Sequence, residues 1–180
     1  LRPIRHINRN GIENNISVFQ PKSMRDGEAL EIINSLNADL IIVVAFGKIL
    51  PKEILESVKY GCINIHASLL PKLRGAAPIQ WSILNGDSET GVTSMQRDVG
   101  LDTGDMLLKS EITIGEYETS EELFERIAQL GAKTLYDTII NIENITPKKQ
   151  DDSEYSYAPM ISKEMGKIDW NLGKNTISKL

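Results

Sequence analysis

Apolar residues along the chain fall into two kinds of pattern. Leu40-Ile-Ile-Val-Val-Ala45 is a continuous, β-branched run bounded by Asp39 and Gly47, which predicts a strand buried on both faces, as in a parallel sheet. Cys62-Ile-Asn-Ile-His66 is a second such run. Between them Pro51 opens a predicted short helix over 52–58, its fixed φ suiting a first turn. Strand, helix and strand at this spacing make a βαβ unit with an expected right-handed crossover. Helical spacing of Met24, Leu30, Ile33 and Leu36 predicts a helix over 24–36. Another is expected over 76–84, closed by Gly86. Ser120, followed by Glu121 and Glu122 and then by periodic Leu123, Ile127, Leu130, Leu135, Ile139 and Ile142, marks a long helix capped at its Ser120 end.

Alternation takes over elsewhere. Segments 93–98 and 106–114 read as an antiparallel pair joined by Val99-Gly-Leu-Asp-Thr-Gly-Asp105. Ser17–Gln20 reads as a short extended piece ended by Pro21. Residues 148–154 are polar and expected to be exposed, and 155–180 lacks periodicity. The fold class is therefore α/β, a mostly parallel sheet with an antiparallel edge hairpin. A domain is expected over 1–146, with a linker over 147–180. At 180 residues one core is affordable.

Composition changes the picture little: 41% hydrophobic and 25% charged residues suit a packed domain. No run approaches the ~20 apolar residues of a membrane span, so no membrane partner is expected. The single cysteine, Cys62, excludes an internal disulfide and fits a reducing compartment. Net charge is −5, unevenly spread. Residues 1–25 hold Arg2, Arg5, Arg9, Lys22 and Arg25 against Glu13, whereas the remainder has 15 basic and 24 acidic residues. That basic edge is either a local anion contact or an ordinary solvated surface. The chain starts at Leu1 with no signal-peptide pattern, and a start further upstream is expected.

Candidate chemistry begins with the histidines. His6 lies in a polar, basic segment and reads as a surface residue. His66 ends a predicted strand, where open α/β sheets bind ligands. Asn64 lies two residues earlier and faces the same side. The pair is either a satisfied structural pair or a site. Ser68-Leu-Leu-Pro71 follows and forms either an apolar ligand wall or a core plug. Arg74-Gly75 before a helix start offers a cation beside free N–H groups, an anion-facing arrangement. Asp98, Asp102 and Asp105, with Gly100 and Gly104, lack a recognised cation-loop frame. No metal is expected, and one aspartate orienting His66 is the better use. Phosphate-binding glycine patterns and the G-x-S-x-G elbow are absent.

Asn64-Ile-His66, Ser68-Leu-Leu-Pro71, Arg74-Gly-Ala-Ala-Pro-Ile-Gln80 and Asp98-Val-Gly-Leu-Asp-Thr-Gly-Asp105 together resemble the folate-dependent formyltransferases. So do Phe19-Gln-Pro21, Val43–Pro51 and Lys167-Ile-Asp-Trp170. The resemblance implies a Rossmann-like, doubly wound catalytic domain, with a preceding basic strand–helix portion and a following β-barrel expected outside this chain. It implies 10-formyltetrahydrofolate as cosubstrate and Asn64, His66 and Asp102 as the catalytic trio. Ser68, Leu69, Leu70 and Pro71 would lie along the folate. Phe46, Lys48, Ile49 and Leu50, with Asp98, Gly100 and Leu101, would surround its pterin ring.

The Arg74–Gln80 wording favours members that formylate methionyl-tRNA, an activity that implies a bacterial cytoplasm or an organelle of bacterial descent; a monomer is expected. Relatives acting on a sugar nucleotide, glycinamide ribotide or water remain alternatives, as does a non-catalytic folate- or RNA-binding scaffold. The split of acid and base roles between His66 and Asp102 is open at this level.

Overall fold

A computed structural model of the chain describes residues 9–171, with 173 and 177. His6, Arg2 and Arg5 lie outside the described residues. Beyond a helical turn at 9–13, the elements in chain order are α1 (Glu28–Ser35), β1 (Ile41–Val44), α2 (Lys52–Leu55), β2 (Cys62–His66) and β3 (Arg74–Gly75). They continue as α3 (Pro78–Asn85), β4 (Glu89–Gln96), β5 (Met106–Thr113), α4 (Ser120–Ile140) and β6 (Tyr157–Ala158). A 3₁₀ turn at Lys163–Gly166 follows.

Four strands form one sheet in the order β1-β2-β4-β5. β1 and β2 run parallel, joined through α2, as the βαβ reading expects. β4 and β5 form the edge hairpin, and β4 also runs antiparallel to β2. The parallel share of these four strands is thus the β1/β2 pair. β2 is buried along nearly its whole length, whereas β1 is the outer strand and its last residue, Val44, is exposed. The expectation that β1 is covered on both faces therefore fails among the described residues: Val43 packs beneath α1 and α2, whereas Val44, on the opposite face, is exposed.

The two faces of the sheet are built differently. Ile63 and Ile65 point to one face, where Ile65 packs on a core of Ile79, Val92, Leu123 and Ile127 drawn from α3, β4 and α4. Cys62, Asn64 and His66 point to the other. There, Cys62 joins Val43, Ala29, Leu50 and Ile54 beneath α1 and α2. Farther along the same face, Met95 packs with Leu70 and Met106.

Helix boundaries follow local chemistry. The long helix is capped by Thr119 rather than Ser120. The Thr119 hydroxyl accepts from the Glu122 N–H, and the Glu122 carboxylate accepts from the Thr119 N–H, a complete capping box. α3 begins at Pro78 and ends on Gly86 in the left-handed region, as expected. α1 and α2 are shorter than their periodicity suggests. Residues 16–21 carry no strand pairing.

Burial pushes the Cys62 thiol up to about 11, the nearby Arg97 charge opposing this. Its thiolate fraction near pH 8 is therefore roughly 10²-fold below that of an ordinary cysteine. The folded chain is expected to react with DTNB roughly 10²-fold more slowly than the urea-unfolded chain. Equal rates would show that Cys62 is not buried.

Candidate active site

Asn64 and His66 project from the sheet face that α3 and α4 leave uncovered. Two loops, 67–73 and 97–105, close over it. The first is fixed by Thr93, the register partner of His66: its hydroxyl donates to the Ser68 carbonyl at 2.7 Å and accepts from the Leu70 N–H at 3.1 Å. The second is held against β4 at Gly104, where a Cβ would lie 1.7 Å from the Gln96 carbonyl oxygen. Only glycine permits that close a passage.

His66 is buried, and its Nε2–H donates to the Leu73 carbonyl at 2.9 Å. A carbonyl has no proton to give, so Nε2 holds one and Nδ1 is the ring nitrogen left for chemistry. Nδ1 lies 3.7 Å from Asp102 Oδ2. That oxygen also accepts from the Gly75 N–H at 3.0 Å, and Oδ1 pairs with Arg97 Nη1 at 3.2 Å. Asp102 itself sits at φ +55°, a left-handed conformation that costs energy for a non-glycine residue. Asn64 is buried in the middle of β2, yet its side-chain amide makes no hydrogen bond to any described residue. An amide donor, an imidazole with one free nitrogen and a carboxylate thus share one face of the sheet.

Several expected site residues are placed differently. Leu70 is 0% exposed and Leu50 5%, both in core clusters, so their side chains plug the interior rather than line an open wall. Ser68 is buried, its hydroxyl donating to the Lys72 carbonyl, and Pro71 is buried beside it. Leu69 is half-buried. Arg74 is drawn inward. It is 7% exposed, its Nε donates to Gln150 Oε1 at 2.9 Å and its Nη2 meets Asp152 Oδ1 at 2.8 Å. Two of its three nitrogens are thereby tied to the segment beyond the long helix. Gly75 faces inward, donating to Asp102.

By contrast Phe46, Ile49 and Leu101 are 40%, 60% and 53% exposed. Val44 pairs with Ile65, so the loop carrying Phe46, Lys48 and Ile49 leaves the sheet beside His66. Asp98 is exposed and organises its own loop, accepting from the Gly100 N–H and the Thr103 hydroxyl at 3.0 and 2.8 Å. The three aspartates therefore do not converge, and among the described residues no group of His, Cys, Asp or Glu is arranged to hold a metal ion. A cleft of about 760 Å³ reaches the loop through Arg97 and Asp98 from the start of β2, but none of the trio lines it.

Three participants escaped sequence reasoning. Arg97 carried a signal, the lone cation beside three aspartates. Leu73 acts through its backbone carbonyl, which no side-chain pattern reveals. Gln150 is an isolated amide in a polar stretch. The region from 147 onward, expected to leave the domain, instead folds back: Lys148 pairs with Met106, and β6 runs parallel to β3, with Ala158 buried against Gly75.

Residues 2–139 match the family model described as formyl transferase. The chain belongs to the formyl transferase family. It is 54% identical over 94% of its length to methionyl-tRNA formyltransferase of Alkaliphilus oremlandii, and 53% identical over 94% to that of Clostridioides difficile. In each case it covers 55% of the relative, so the chain spans about half the length of the curated relatives it matches. Among solved structures it is similar to the formyltransferase PseJ from Anoxybacillus kamchatkensis, described in complex with a UDP-linked formamido sugar and tetrahydrofolate. That similarity has a TM-score of 0.70 at 32% identity, over 91% of this chain and 85% of the other.

Proposed function

We propose that the protein containing this chain transfers the formyl group of 10-formyltetrahydrofolate to the α-amine of methionyl-tRNA. The observation that carries the reading is the fixed tautomer of His66, with Nδ1 turned to Asp102 and the unbonded amide of Asn64 two residues away. The acceptor is read from the relatives that are over half identical to this chain.

Asn64's N–H₂ supplies a preorganised donor for negative charge developing on the formyl oxygen. His66 Nδ1 is placed to take a proton from the attacking amine, and the imidazolium so formed faces the Asp102 carboxylate. The balance is simple: the amine nitrogen–carbon bond forms, the carbon–N10 bond breaks, and the amine's proton ends on N10. The exposed Phe46, Ile49 and Leu101 suit a flat heterocycle, with Lys48, Asp98 and Gly100 on the same two loops. Ser68 to Pro71 shape the floor through backbone. The site needs no metal, and the reaction is assigned to a cytoplasmic monomer. No helix among the described residues is long and apolar enough to cross a membrane.

Full-length protein is to be given 10-formyltetrahydrofolate with labelled formyl and three acceptors: methionyl-tRNA, a UDP-linked amino sugar and water alone. Label on methionyl-tRNA is the expected result. Label on the sugar reassigns the acceptor, free formate without an amine means a hydrolase, and no turnover leaves a scaffold.

A further inference from the structure

We infer that Gln150 is a positioning residue for the catalytic carboxylate, reaching the site from a segment beyond the long helix. This rests on the reading of Asp102 as a catalytic group. Gln150 is 5% exposed, and every polar group of its side chain is used. Its Nε2 donates to the carbonyls of Asp102 and Gly104, both at 2.8 Å, and its Oε1 accepts from Arg74 Nε at 2.9 Å. The amide has one workable orientation, because neither carbonyl donates and the guanidinium does not accept.

Those bonds fall where the loop is most constrained. Asp102 is in the left-handed region and Gly104 passes hard against Gln96. A strained residue keeps its conformation only where its surroundings over-determine it. Gln150 ties down the carbonyl of the strained residue itself and the one two positions on, so the direction of the Asp102 side chain is set. The same returning segment steadies the other anchor. Gly75, whose N–H holds Asp102 Oδ2, pairs with Ala158 at φ +121°, and a Cβ there would sit 2.7 Å from the Ala158 carbonyl oxygen. Arg74, next to Gly75, closes the circuit back to Gln150. Gln150 touches neither His66 nor Asn64, so its action on the reaction passes through Asp102.

The test compares Gln150→Glu, Asp102→Asn and the double variant in the full-length protein. Gln150→Glu keeps shape and still accepts from Arg74, but turns a carboxylate oxygen onto two carbonyls. Because a misplacement near 1 Å costs about 10²-fold, kcat is expected to fall by about 10²-fold with donor KM changed less than about threefold. The melting temperature should fall, since two buried hydrogen bonds are lost and a carboxylate oxygen faces two carbonyls, and amide exchange over 98–105 should accelerate. In the Asp102→Asn background the Gln150 change should cost under about threefold more, since both losses pass through one group. Full multiplication of the two losses, or an unchanged kcat in Gln150→Glu, overturns the inference. Unchanged activity in Asp102→Asn alone overturns the underlying catalytic reading instead. If Gln150→Glu fails to fold, Gln150→Met, which removes the polar contacts without adding charge, takes its place with the same readouts.

Discussion

Replacing Asn64 with Leu is expected to lower the rate of formyl transfer by about 10²–10³-fold, the usual effect of removing one preorganised oxyanion donor, without destabilising the fold. The two halves of that expectation come from one fact. Asn64 is 8% exposed in the middle of β2 but bonds to no described residue. Arg97 Nε is the buried side-chain polar atom left without a partner among the described residues, so the Asn64 amide is served by solvent and gives up no bond within the protein when it is replaced. A leucine of similar volume beside Met95 and Cys62 keeps the packing. The melting temperature should therefore stay level or rise, and the loss should fall on kcat, because the donor acts on charge that develops during reaction. A rate within tenfold of the parent would mean that Asn64 is a structural residue, and a large fall in melting temperature would mean that its amide has a structural partner.

Much of this site was legible because β-strand parity is a strong rule. Asn64 and His66 stand two apart in an apolar run, and no fold that makes this run a strand can separate their faces. The hairpin and its loop were legible for similar reasons, although β4 starts at Glu89 rather than Thr93. The polar run Glu-Thr-Gly-Val hides a strand that packs under Leu69 and against Ser110. The burial of Arg74 was not legible, because it depends on Gln150 and Asp152, more than 70 residues later. Leu50 and Leu70 were equally ambiguous in sequence, since an apolar residue in a loop motif reads the same whether it faces a ligand or the core. The returning segment was illegible for a simpler reason. Its links to the domain are the Gln150 amide with three hydrogen bonds, the Asp152–Arg74 pair, the Lys148–Met106 bridge and a two-residue strand, none of which leaves a periodicity.

Arg97→Met should be the most destabilising single change at the site, by about 3 kcal/mol, at the lower end of the range for breaking a buried ion pair. Arg97 and Asp102 have side chains only 11% and 7% exposed, in contact at 3.2 Å. Removing the cation leaves the carboxylate with the Gly75 N–H and the more distant His66 ring, too little to offset its desolvation. At roughly 2–4 °C per kcal/mol for a domain of this size, the melting temperature should drop by about 6–12 °C. The arginine is not there for its own comfort: its Nε is buried with no hydrogen-bond partner among the described residues, a further cost. What it contributes is the carboxylate's placement and charge. Adding Asp102→Asn to Arg97→Met should then restore most of the stability, because the orphaned charge is gone while the side-chain carbonyl still accepts from Gly75. Activity should not return with it. Stability recovered without catalysis separates the two duties of Asp102, whereas an Arg97→Met chain as stable as the parent would mean that Asp102 is held without its ion pair.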